Sequence, residues 1–278
     1  MLESGVLLGV GSAVAWGTGD FAGGLAARRS SGLVVTAGAQ LIGLLALLVG
    51  VLVLRPAAPQ AATIGFGALA GIGGGLGLAA LYRGLGLGSM GLVSAVSGLG
   101  AVLIPLGVGI WLWGNDVQAL QLIGVALALA AVAAASGATT KGVSREGLVL
   151  ALIAALGFGL WFVFIDRAAS HDRLWALVIS RASATLLVGG TAAVRARRAA
   201  PPNLPLIAVA GVADVAANAM VVLAFATIPV GVAAALSGTY PLATMLLARV
   251  TLKESLPRLG LAAVFLAVAG IVFISLGS

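Results

Sequence analysis

Ten apolar stretches, most of them about twenty residues long, follow one another along the chain, separated by short polar or Gly/Pro-rich links. A helix rises about 1.5 Å per residue, so each stretch is about as long as a bilayer core is thick. The predicted spans are Ser4–Gly24, Gly32–Leu54, Ala62–Tyr82, Met90–Trp113, Ala119–Ala138, Gly147–Ile165, Leu174–Val194, Leu204–Ala226, Val230–Arg249 and Leu259–Leu276. Arg28 and Arg29 close the first, RPAAPQ at Arg55–Gln60 the second, and Gly114-Asn115-Asp116 the fourth. Longer polar links run over Gly137–Gly147, Asp166–Arg173 and Arg195–Asn203. Gly67, Gly71 and Gly75 form a small-residue stripe suited to close helix packing. Short links leave no soluble domain, so the expected fold is an all-α integral membrane protein of ten transmembrane helices.

The two halves repeat. Gly91-Leu-Val-Ser-Ala-Val-Ser97-Gly98 aligns with Gly231-Val-Ala-Ala-Ala-Leu-Ser237-Gly238 at an offset of 140. Trp16 and Trp161 hold like positions in the first and sixth spans. Five spans per half is an odd number, so the second copy, 141–278, enters the bilayer from the side opposite to the first, 1–140. Such inverted repeats are common in secondary transporters, with the substrate site near the midplane between the halves.

Composition agrees. Of 278 residues 61% are hydrophobic and only 8% charged, against about 25% charged in soluble domains. The mean hydropathy is +1.19. The chain has no cysteine and a single histidine, His171 in a polar link, so thiolate and His-built metal sites are excluded. No cofactor is implied. The net charge of +7 comes mostly from arginines in the links; in this class it reads as contact with anionic lipid, not nucleic acid. The first apolar stretch has no basic region ahead of it and carries Glu3, which fits a retained helix better than a cleaved signal peptide. Odd-numbered links hold Arg28, Arg29, Arg83, Lys141, Arg145, Arg195, Arg197, Arg198, Arg249, Lys253 and Arg258; even ones hold Arg55, Arg167 and Arg173. Eleven against three puts the odd links in the cytoplasm and both termini outside.

These features resemble the EamA-type members of the drug/metabolite transporter superfamily, over nearly the whole chain. Arg181 matches the family's Arg opening the second helix of a repeat, Pro241 its Pro in the fourth helix, and Glu254 its following acid. In the first copy Gln40 stands for Arg181, Asn115 opposite Glu254, and Pro105 four residues off the Pro241 position. The resemblance implies secondary transport, often export of amino acids or other small metabolites, through a cavity between the repeats. It also implies cytoplasmic termini, against the charge count.

Asp214 is the one ionisable group of its span, about ten residues from either edge, and Asn218 follows one turn later on the same face. A carboxylate that deep costs at least a few kcal/mol and usually faces a bundle interior or a wet cavity. It is expected either to bind substrate and couple transport to a proton, or to pair structurally with Arg181 in the antiparallel neighbour. Arg181 either anchors near the membrane edge or captures a substrate carboxylate. Asp20, beside Thr18, is a second cavity acid or a wet helix end. Trp16, Trp161, Tyr82 and Tyr240 stack on substrate or pack the interior; Ser97 and Ser237 are helix contacts or ligands. Gly86-Leu-Gly-Ser-Met-Gly91 fits GxGxxG but follows no strand, and no GxxxxGK[ST], HExxH or GxSxG motif occurs.

The expectation is a secondary transporter working by alternating access on an amino-acid-like or amphipathic metabolite, an exporter in a cell (plasma or inner) membrane, and not an enzyme. The cavity lining is expected to be Trp16, Asp20, Gln40, Trp161, Arg181, Asp214, Asn218 and Tyr240. Its expected partners are a small-molecule substrate and anionic lipid at the basic links, with a homodimer left open. The rivals are an uncoupled exchanger, a non-transporting scaffold and an intramembrane lipid enzyme, the last lacking a convergent nucleophile, base or metal set.

Overall fold

Among the described residues, every element of the computed structural model is helical. It describes residues 2–87, 90–114, 116–137, 145–195 and 203–252, with isolated positions between 259 and 276. The helices are α1 (Leu2–Ala27), α2 (Gly32–Leu54), α3 (Ala61–Gly86), α4 (Met90–Trp111), α5 (Ala119–Gly137), α6 (Arg145–Ala169), α7 (Arg173–Arg195), α8 (Leu204–Ala224), α9 (Val230–Ser237) and α10 (Tyr240–Leu252). Among the described residues, six runs are long and apolar enough to cross a bilayer: α2, α3, α6, α7, α8, and α9 with α10 taken together. Leu52, Val53, Leu186 and Val212 are among many large apolar side chains exposed on the outside. Water would not tolerate that surface; lipid solvates it.

Local chemistry sets several helix ends. Arg55 takes a left-handed backbone (φ 46°) directly before Pro56, so α2 stops there. Asn203 caps α8 by accepting the Leu206 N–H, with Pro205 in the first turn. Asp172 accepts the Trp175 N–H and starts α7.

The predicted ninth span, Val230–Arg249, is not one helix. It breaks at Gly238–Thr239 into α9 and α10. Pro241 has no N–H to return to the Ser237 carbonyl. The chain tightens there, with the Thr239 N–H donating to Leu236 O and the Leu242 N–H to Thr239 O. Pro105 leaves α4 continuous. The predicted tenth span, Leu259–Leu276, falls where only isolated positions are described. Asn115, Lys141, Arg197, Arg198, Lys253, Glu254 and Arg258 lie outside the described residues.

Glycines decide which helices touch. α3 lies between α6 and α7 and uses a different glycine row for each. Its Gly73 and Gly77 meet Gly157 of α6 so closely that a Cβ on Gly157 would stand 2.5 Å from Gly73 O and 2.8 Å from Gly77 Cα. The predicted stripe faces α7: Gly67 abuts Ile179, Gly71 the Ser180 carbonyl and Gly75 Ala184. Gly19 of α1 meets Ala210 of α8, while Gly211 of α8 meets Ala39 of α2. α3 and α6 are antiparallel, since Arg83 pairs with Glu146 at 2.5 Å at one end and Thr63 donates to Ala168 O at 3.5 Å at the other.

Candidate functional site

Beside these glycine contacts lies an internal space within the bundle. The eight residues singled out from the sequence, Trp16, Asp20, Gln40, Trp161, Arg181, Asp214, Asn218 and Tyr240, all line this one cavity. Its atom-free space is about 700 Å³, but the centre of a water molecule reaches only about 60 Å³. That is a narrow cavity with room for a few waters.

Arg181 organises one wall. Its Nη1 donates to an Asp214 carboxylate oxygen and, at 2.6 Å, to Gln40 Oε1. The second Asp214 oxygen accepts the Trp16 indole N–H at 2.9 Å. Arg181, Gln40 and Asp214 are all buried. α7, α2, α8 and α1 therefore meet through one hydrogen-bonded chain, with the charged pair neutralised and both carboxylate oxygens partnered. Gly43 of α2 makes room for it: a Cβ there would stand 3.3 Å from Arg181 Cζ and Nε. Arg181 Nη2 is sealed from solvent and has no hydrogen-bond partner among the described residues.

Aromatic rings form the second wall. Trp16 and Trp161 meet edge to face at 5.9 Å between centroids. Phe162 lies edge-on to both, at 5.8 and 5.2 Å, and Tyr240 lies 6.5 Å from Trp16. The Trp161 indole N–H donates to Ser180 Oγ at 3.2 Å.

Two polar groups on the lining differ from these. Asp20 is 6% exposed and Asn218 7%, and among the described residues neither makes a side-chain hydrogen bond. Asp20 is the cavity acid, not a wet helix end. Tyr82 is not on the cavity lining given by these residues; it is wholly buried against Gly23 with its hydroxyl unpartnered. Ser237 and Ser97 are helix contacts: Ser237 accepts from Ser12 at 2.8 Å, and Ser97 donates to Ala151 O of α6 at 3.4 Å besides Val93 O of its own helix at 2.6 Å.

The sequence reading missed Ser180, Phe162, and Gly238 at the helix break, all on the lining. Ser180 and Phe162 adjoin residues it did select. Only packing shows that neighbours a third of a helix turn apart both reach the cavity.

Residues 145–276 match the model of the EamA-like transporter family. Those residues, just under half of the chain, form an EamA-like region. The chain is a multi-pass membrane protein of transporter type, and the match carries Trp161, Arg181, Asp214, Asn218 and Tyr240 into the EamA-like half. Trp16, Asp20 and Gln40 come from the other half. Among solved structures 26 chains match. One, a crystal structure of a protein 20% identical in sequence, covers 99% of either chain with a TM-score of 0.77 and shows the shared fold. No curated protein matches the chain.

Proposed function

We propose that this EamA-type chain is a secondary transporter of two inverted five-helix repeats that moves a small amphipathic metabolite by alternating access, in the direction of export from the cell. One observation carries the reading: like positions of the two halves meet each other across the cavity. Gln40 is hydrogen-bonded to Arg181, which holds its place in the second half, and Trp16 touches Trp161. Packing is paired in the same way. α3 with α6 corresponds to α8 with α1, and α3 with α7 corresponds to α8 with α2. A cavity on the axis between such halves opens to either side when one half rocks against the other. The break between α9 and α10, with Gly238 and Tyr240 on the lining, adds a discontinuous helix of the kind transporters place at their sites.

The arrangement argues against proton exchange at Asp214. Protonating it would leave the Arg181 guanidinium buried without its counter-charge. Uncoupled exchange or facilitated flux fits this pair better. The polar contacts of the wall join an acid to a cation, an amide and an indole, which is a positioning network and not a nucleophile with its base.

Proteoliposomes loaded with a mixture of amino acids, sugars, nucleosides and organic amines test the reading without assuming a substrate. Mass spectrometry of the external medium should find one class released by the wild-type protein and retained with empty liposomes. Release should fall at least about tenfold when Trp16 and Trp161 are both changed to Ala in a variant that still folds. Equal release of every class with and without protein would remove the transporter reading.

A further inference from the structure

Among the described residues, the cavity lining holds more acids than bases. Asp20 and Asp214 supply two carboxylates, and Arg181 is the one cation among the described lining residues. Arg181 is already engaged by Asp214 and Gln40 through Nη1, and its Nη2 is buried. Asp20 therefore faces the cavity as an acid without a donor among the described residues, about 10 Å short of the end of α1. Asn218, also without a side-chain hydrogen bond, offers an amide oxygen on the same lining. The rings of Trp16, Phe162 and Tyr240 complete the surroundings.

We infer that Asp20 anchors a cationic amine, and that the transported class is amphipathic monocations, aryl- or alkylammonium ions, rather than amino-acid zwitterions. This rests on the transport reading above and narrows it by charge. An ammonium group brings the positive charge and the N–H donors that Asp20 lacks, with Asn218 as a second acceptor. An aromatic wall suits both the ammonium, through ring faces, and the carbon skeleton behind it. A zwitterion would need a second cation for its own carboxylate, and Arg181, the one cation among the described lining residues, already has its charge matched by Asp214. A neutral molecule would bring no counter-charge to Asp20.

Three probes with one phenyl ring separate the classes at pH 7: 2-phenylethylamine (cation), phenylalanine (zwitterion) and 2-phenylethanol (neutral). With detergent-purified protein, the amine should raise Tm by about 2–4 °C at saturation and the other two should not, because only a ligand of the folded state stabilises it. Asp20→Asn should abolish the amine's shift. Ligand-free, Asp20→Asn should keep or raise Tm, since it replaces a buried acid that has no hydrogen-bond donor among the described residues, whereas Asp214→Asn should lower it. A shift by phenylalanine equal to the amine's, an amine shift retained in Asp20→Asn, no shift by any probe, or a ligand-free Asp20→Asn as unstable as Asp214→Asn would each overturn the assignment. The transport reading fails separately, in the proteoliposome assay, which takes no account of charge.

Discussion

At the scale of single residues, the two acids of the cavity show how environment divides one chemistry into two roles. Asp214 sits among Arg181, Trp16 and, through Arg181, Gln40; Asp20 sits at the same cavity with none of these donors. Breaking a buried pair from one side strands the other charge, at about 3–5 kcal/mol. Asp214→Asn is therefore expected to destabilise the protein by about that amount, and Arg181→Gln similarly. The double variant should lose clearly less than the sum of the two, by about 1–3 kcal/mol, because no stranded charge remains. Unfolding of the four proteins in one detergent completes the cycle; strict additivity would show that the pair is not coupled. Asp214 and Arg181 stand out in the sequence because intramembrane charge is rare enough to flag. Gln40 stands out only through the repeat. Ser180 carries no comparable mark: a serine in a membrane helix most often bonds its own backbone, as Ser97 does with Val93 O.

At the scale of helices, glycine position outweighs glycine abundance. The chain has 41 glycines, and their contacts differ widely. A Cβ on Gly71 would lie 2.0 Å from the Ser180 carbonyl oxygen, a backbone atom that cannot swing aside. Gly71→Ala is therefore expected to part α3 from α7, disturb Ser180 and Arg181 beside the cavity, and lower Tm sharply or abolish folded protein. Gly65, on the same helix, has nothing within 4 Å of its would-be Cβ. Gly65→Ala should leave Tm unchanged or raise it slightly, since Ala favours helix over Gly by about 1 kcal/mol. Size-exclusion profiles and Tm of the two variants decide it, and similar behaviour would refute the packing account. The Gly67, Gly71, Gly75 stripe is legible from its spacing. Its partner is not, and the second row formed by Gly73 and Gly77 against Gly157 is hidden by the same abundance.

At the scale of the whole molecule, arginines gather at one end of the bundle. Arg28, Arg29, Arg83, Arg145, Arg195 and Arg249 lie at or beyond helix ends on the side where Arg83 meets Glu146; Arg55, Arg167 and Arg173 lie at the other, where Arg167 covers the Trp113 ring at 3.8 Å. By the positive-inside rule the richer end is expected in the cytoplasm, where anionic lipid would meet it. Because the chain has no cysteine, single introduced thiols report orientation against no background. Ser170→Cys, at the poorer end, should react with a membrane-impermeant maleimide on intact cells, and Leu87→Cys only after permeabilisation. The reverse pattern would place the termini in the cytoplasm instead.

The sequence by itself determined the solvent of this protein, its helical class and the short roster of polar groups that had to be buried. It could, because twenty-residue apolar runs admit one backbone solution in lipid, and because each intramembrane charge is too costly to sit at random. Tertiary structure alone decided which of those groups satisfy one another. Arg181 reaches Asp214 and Gln40 through contacts 33 and 141 residues apart in sequence, and Trp16 reaches Asp214 across 198. Such pairings follow from which glycine faces close on which helices, and periodicity along one helix holds no information about its neighbour. The same closure left Asp20 at the cavity without a described donor, and split the ninth span at Gly238 instead of merely bending it.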